Sequence, residues 1–299
     1  MTSRDLILPA LIGDALSLGP HWIYDASKIE QLYPGGILDY DDPKSSYHPE
    51  KKAGDQTHYG DQALALLDSL AAHPGNWDQS AWRSDWADWA RQTTAYKDGA
   101  TTRSLENIEA GLTTPSDSND LAGASRFIGL FARFTGDALI EAARAQTALT
   151  HGDPQVIDSA EFFARAATAL LAGAGLGEAL DEAAAHPYDS LPAIDWLNAG
   201  RAASEGDLDQ EAGKLGLTCH APDAVPLTLA LALKFEDDPV AGLSRNAMLG
   251  GDSAARGLLL GLLLGARHGL GAFPQQWTEQ LAAAGRIQSL LGDAGDRLA

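Results

Sequence analysis

The sequence predicts an all-α protein, and three observations carry that expectation. Alanine, leucine and glycine dominate its 299 residues while β-branched residues are sparse, a composition that leans to helix. No run of strict apolar alternation stands out as a strand. The third observation is the stretch from Asn246 to Gly269. There Gly250-Gly251 deliver Asp252 to the start of a long run, Leu258 to Ala266, which is apolar on every side and suits a helix buried all round. Gly257, Gly261, Gly265 and Gly269 recur every fourth residue, along one face where another backbone can come close. A membrane span needs about 18 or more uncharged residues, and Asp252, Arg256 and Arg267 bracket a shorter run. The expectation is therefore one compact multi-helix domain over residues 1–299, built around this Gly/Leu-rich helix. Asp252 at its N-terminal end reads either as a helix cap or as an active-site acid.

The remaining elements follow in order. Residues 5–18 form a first helix, with Leu8, Leu11, Ala15 and Leu18 on one stripe and Asp14 after Gly13. Gly19-Pro20 ends it and sets His21 beside Trp22. Tyr33 to Gly60 is long, irregular and rich in proline and glycine, a type of segment that is usually functional or mobile. Thr57-His58-Tyr59-Gly60-Asp61 opens a second helix. Its N-terminus suits an anionic ligand or simple capping by Thr57 or Asp61. Trp82, Trp86 and Trp89 lie on one face of a third helix and read as core. A fourth starts at Asp98-Gly99 and ends near Gly111. The polar loop Ser116–Asp120 leads to Leu121–Arg126 and reads as a turn or as an anion cradle. Residues 137–150 are helical and end at Thr150-His151, where the helix dipole alone favours a histidine. Residues 155–185 hold one or two helices, Pro226–Lys234 another, and Gln275–Leu291 a closing amphipathic one.

Composition excludes several functions. With 21 basic against 41 acidic residues the net charge is -20, and such a surface repels nucleic acid and anionic membranes. Cys219 is the one cysteine, so neither a disulfide framework nor a cysteine-based zinc site is expected. The N-terminus does not read as a signal peptide, and a cytoplasmic enzyme or binder fits. No phosphate loop, His-Glu-x-x-His or Gly-x-Ser-x-Gly elbow occurs.

Taken together, the polar islands resemble the ADP-ribosylglycohydrolase family over nearly the whole chain. Gly13-Asp14-Ala15-Leu16 is similar to that family's opening Gly-Asp-Ala-Leu. Thr57 to Leu70 resembles in spacing its Thr-Asp-Asp-Thr motif. Ser118-Asn119 through Arg126 resembles its substrate loop, two residues longer here, and Ala148-Leu149-Thr150-His151 its Ala-Leu-Thr-His segment. Gly250-Gly251-Asp252 resembles the start of its closing Gly-Gly-Asp-x-Asp-Thr motif.

The resemblance implies an all-α fold with the active site in a cleft between helices, and hydrolysis of the bond joining ADP-ribose to an acceptor, usually with two magnesium ions. Of the positions that hold those ions in the family, only Thr57 and Asp252 are kept. The family's Glu is His21 here, its first two Asp are His58 and Tyr59, and the following Thr is Gly60. The second Asp and the Thr of the closing motif are Ala254 and Ala255. Magnesium prefers carboxylate oxygen, so no magnesium pair and no firm cofactor are expected near Asp252. Catalytic candidates are His21, His58, Asp252 and Asp14, the histidines as acid or base near pKa ~6.5 and a carboxylate steadying an oxocarbenium-like ribosyl centre. His21, His58 and Asp252 would also make a ligand set for one softer metal ion. Thr57, Tyr59, Asn119, Ser125 and His151 are expected to contact small-molecule or protein-linked ADP-ribose. The alternative is an inactive protein that binds ADP-ribose or a nucleotide, its vacated metal site filled by His21, His58 and Tyr59.

Overall fold

Sixteen α-helices and no strand form among residues 1–292, the part of the chain that the computed structural model describes. They are α1 (Arg4–Ser17), α2 (Ala26–Leu32), α3 (His58–Ala72), α4 (Gln79–Gln92), α5 (Gly99–Glu109), α6 (Ala122–Ser125), α7 (Gly136–Ala148) and α8 (Pro154–Leu171). Then follow α9 (Leu176–Ala184), α10 (Ala193–Glu205), α11 (Leu208–Leu215), α12 (Ala221–Lys234), α13 (Pro239–Leu249), α14 (Ser253–His268), α15 (Gln275–Gln280) and α16 (Ala284–Leu291). A 3-10 stretch, Arg126–Ala132, continues α6.

Helix α14 is the axis of the fold. Every residue from Ser253 to Ala266 is buried, as its all-round apolarity requires. Its glycine face meets α1. A Cβ on Gly257 would run into the Gly13 carbonyl, one on Gly261 into the Pro9 carbonyl, and one on Gly265 into the Asp5 carbonyl. Backbone thus lies on backbone, at a distance that only glycine permits. Helices α8, α12 and α13 pack around the other sides. One hydrophobic cluster runs from Leu6 to Leu291.

Several boundaries differ from the sequence expectation. Helix α12 starts at Ala221 and not at Pro226. Pro222 sits in the first turn, where no intrahelical donor is needed, and Pro226 removes one bond only. The closing helix is split into α15 and α16, because Leu281 is extended and buried and Ala282 N–H turns away to the Gly54 carbonyl, 2.9 Å. Trp82 and Trp86 are fully buried, while Trp89 lies at the edge of the core. Helices α2, α10, α11 and α13 carry no sequence signal noted above. No helix among the described residues is long and apolar enough to cross a membrane.

Candidate functional site

Two turns meet at the N-terminal end of α14. The first follows α1 and carries His21 and Trp22. The second is Gly250-Gly251, both with positive φ (66° and 61°), a conformation that glycine adopts freely. The turns are pinned by paired backbone bonds: Trp22 N–H to the Gly251 carbonyl and Gly251 N–H to the Ile23 carbonyl, each 2.8 Å. Buried Arg256 closes the second turn by donating to the Gly250 carbonyl (2.7 Å), the Asp252 carbonyl (2.8 Å) and Asn246 Oδ1 (3.2 Å). Trp22 itself has φ 62°, a left-handed conformation costing on the order of 1–3 kcal/mol outside glycine.

This scaffold sets the surroundings of Asp252. It occupies the N-cap position of α14, yet its side chain makes no capping bond. Its Oδ2 accepts instead from Trp22 Nε1 (3.0 Å) and lies 2.9 Å from the Tyr59 hydroxyl. That hydroxyl also lies 3.1 Å from Oδ2 of Asp120. A phenol has one proton to give. If Tyr59 donates to Asp252, the Asp120 carboxyl must carry a proton and donate to the Tyr59 oxygen. The electrostatics agree. Burial, and then the charge of Asp252, push Asp120 well above the usual carboxylate range. Burial also raises Asp252, opposed by the bonds from Trp22 and Tyr59. Of this linked pair, Asp120 is raised the further and is the better placed to hold a proton. Asp252 Oδ1 is buried without a partner, and Cys219 stands beside both acids, its thiol pushed up by burial.

On the other side of Trp22 stand three buried histidines, His21, His48 and His58. His48 Nε2 and His58 Nδ1 are 3.0 Å apart, and His58 Nε2 lies 3.5 Å from Asp98 Oδ2. Burial, then the charge of Arg256, lower His21 to about 3. Burial and the neighbouring His21 lower His48 to about 3, and His58 falls well below its ordinary value for the same reasons. The sequence expectation of a histidine titrating near 6.5 is corrected here. At neutral pH these rings are uncharged and have no spare proton to act as cationic acids. The Trp22 ring stacks on His21 at 4.6 Å, and Tyr47 and Tyr96 meet it edge-on at 4.6 and 5.2 Å, forming an aromatic roof.

The other candidates are distributed around this centre. Thr57 caps α3 by accepting from Tyr59 N–H. Asp14 is fully buried and accepts from Thr57 N–H (2.8 Å) and Thr57 Oγ1 (2.6 Å), so it fixes the start of α3. Asn119 Oδ1 lies 2.6 Å from His220 Nδ1. Ser125 Oγ donates to the Ala122 carbonyl. His151 is buried against Gly123, with Nδ1 2.9 Å from Thr150 Oγ1 and Nε2 unpartnered. The three-ligand set of His21, His58 and Asp252 is redistributed. His21 and His58 converge with His48, while Asp252 groups with Asp120 and Cys219.

Sequence reasoning missed Asp120, His48 and Trp22 as members of the site. Asp120 ends the polar Ser116–Asp120 loop, and the loop was the available signal. His48 lies in the irregular segment before α3 and has no spacing to mark it.

With the geometry established, the comparisons with known proteins are decisive for the family. The ADP-ribosylglycohydrolase family model matches residues 3–299. The chain belongs to the ADP-ribosylglycohydrolase family. A solved structure described as an ADP-ribosylglycohydrolase-related protein complex superposes with a TM-score of 0.72 at 21% identity, covering 97% of this chain and 95% of that one, a likeness of fold. No curated protein matches the sequence. Members of this family act on ADP-ribosylated substrates and are generally metal-dependent, so the donor set of this member bears on its chemistry. Two magnesium ions need oxygen ligands, mainly carboxylates. At the kept positions, Thr57 Oγ1 is spent on Asp14 and Tyr59 N–H, and Asp252 Oδ2 on Trp22 and Tyr59. The nearby carboxyls Asp14 and Asp120 are likewise engaged, with Thr57 and Tyr59, and the remaining neighbours His21, His48 and His58 offer nitrogen. These residues do not fit a magnesium pair.

Proposed function

We propose that the protein hydrolyses an ADP-ribosyl or related N-ribosyl linkage without the family's two magnesium ions. The observation that carries this reading is the Asp120–Tyr59–Asp252 chain, in which one hydroxyl links two buried carboxyls; we assign the proton to Asp120 and the charge to Asp252. Glycoside hydrolysis asks for that pairing: an acid for the leaving group and a carboxylate for the oxocarbenium-like centre. In the proposed reaction Asp120 gives its proton to the leaving nitrogen of an arginine conjugate, or the leaving oxygen of a serine conjugate, as its bond to C1′ breaks, and the bonding electrons go to that leaving atom. Asp252 Oδ1 faces the positive ribosyl carbon. Water then adds to C1′ and its proton returns to the Asp120 carboxylate. Asn119 and Ser125, flanking Asp120, and His151 are the proposed contacts to ADP-ribose.

Release of ADP-ribose from ADP-ribosylated arginine and serine peptides in EDTA tests this directly. Asp120→Asn and Asp252→Asn are each expected to lower turnover by about 100-fold or more. Turnover in wild type that survives both substitutions would overturn the assignment of the pair. The full burial of His21, His58 and Asp252 beneath Trp22 favours a second reading, an inactive binder of ADP-ribose. No released product, together with calorimetric ADP-ribose binding that is equal in EDTA and in magnesium, would establish that reading instead.

A further inference from the structure

We propose that His21, His48 and His58 form a binding site for one borderline divalent cation of the zinc class. The three rings come from three separate segments: the turn after α1, the long segment before α3, and the first residue of α3. One ring nitrogen of each lies within 4.8 Å of the other two. The ring centroids are 5.1 to 6.0 Å apart and mutually tilted by 35° to 54°. A tetrahedral ion with zinc–nitrogen bonds of about 2.0–2.1 Å holds imidazole centroids roughly 5 Å apart, so a small inward shift completes the site.

Hydrogen-bond accounting points the same way. All three side chains are fully buried, and buried polar atoms are nearly always satisfied. Here both His21 nitrogens lack a hydrogen-bond partner, and His48 Nε2 and His58 Nδ1 face each other at 3.0 Å. A cation would take one lone pair from each ring, replacing the His48–His58 hydrogen bond and meeting a nitrogen of His21. Burial keeps the rings neutral, which is the ligating form. A set of nitrogens without a carboxylate disfavours magnesium and calcium and suits zinc, copper or nickel. His58 turns Nδ1 towards His48 and Nε2 towards Asp98, 3.5 Å away, and a carboxylate behind the ring is the usual way a metal-bound histidine is oriented. The ion would staple the long segment carrying His48 to the turn after α1 and to the start of α3. This site stands independently of the hydrolase reading.

The test is a titration of the full-length protein, freed of metal by chelation, with cobalt(II) and then zinc(II). One equivalent of cobalt is expected to give the visible absorption of a four- or five-coordinate nitrogen site, and zinc is expected to displace it while millimolar magnesium does not. At a hundredfold excess of zinc over Kd the Tm is expected to rise on the order of 5 °C. His48→Ala and His48→Asn are each expected to weaken cobalt binding by about 100-fold, with circular dichroism reporting that the variants remain folded. Absence of a cobalt spectrum in folded wild type overturns the proposal. So does undiminished binding in a folded His48 variant, which would move the metal to Asp120, Cys219 and Asp252. Stoichiometric binding in a protein that releases no ADP-ribose supports this site and defeats the hydrolase reading alone.

Discussion

Asp14→Asn isolates the cost of burying one carboxyl at the base of the site. Asp14 is wholly buried, and burial outweighs its two bonds from Thr57, raising its pKa from 3.8 to about 7. In the unfolded chain the group returns to its ordinary value. Between the two pKa values the folded protein holds a proton that the unfolded chain has released. The stability this carboxyl contributes is therefore fully present below about pH 4 and is lost as pH rises through about 7. At about 1.4 kcal/mol per pH unit, a gap of about three pH units corresponds to roughly 4 kcal/mol. Asparagine cannot ionise. It keeps one oxygen for Thr57 N–H but sets its amide against the Thr57 hydroxyl, at a cost of about 1 kcal/mol. Urea unfolding should find the variant slightly less stable than wild type near about pH 4 and more stable near about pH 8, with the curves crossing between. A variant that keeps the wild-type dependence on pH would refute the reasoning.

Four further substitutions probe the scaffold and the acid pair. Gly261→Ala drives a Cβ into the Pro9 carbonyl, and overpacking costs of about 1–3 kcal/mol outweigh the gain in helix propensity of up to about 1 kcal/mol. Gly213→Ala in α11, where the Cβ meets nothing within 4 Å, should raise Tm, so shifts of the same sign in the two variants would contradict the packing account. Arg256→Lys should lower stability by about 3 kcal/mol or more, since one ammonium cannot span three acceptors that the guanidinium fork holds; an unchanged urea midpoint would show that the Gly250-Gly251 turn stands without it. Tyr59→Phe removes the hydroxyl that links Asp120 to Asp252, and turnover is expected to fall about 10-fold or more, an effect absent if the two acids work separately.

Much of the helical framework was legible because a helix is a local object. Fourfold glycine spacing against unbroken leucine marks α14 as a buried axis, and Gly19-Pro20 marks the end of α1, whatever lies elsewhere in the chain. The same locality explains the errors. Nothing within Gln275–Leu291 announces that Gly54, far away in sequence, will draw the Ala282 N–H out of the helix and split it.

The site was half legible for a related reason. Sequence alone singled out Asp252, His21, His58, Tyr59 and Thr57 through motif position, and the charge count of those residues already argued against a magnesium pair. Only the tertiary structure decided who stands beside whom. It sent Asp252 to Asp120 and Tyr59, not to the histidines, and brought His48 from an unpatterned segment to complete their set. It also decided protonation. A histidine titrates near 6.5 in water and at about 3 here, because the penalty for a charge depends on the surrounding medium and its neighbours. Residue identity sets what a side chain is able to do; convergence of distant segments and exclusion of water set what it does.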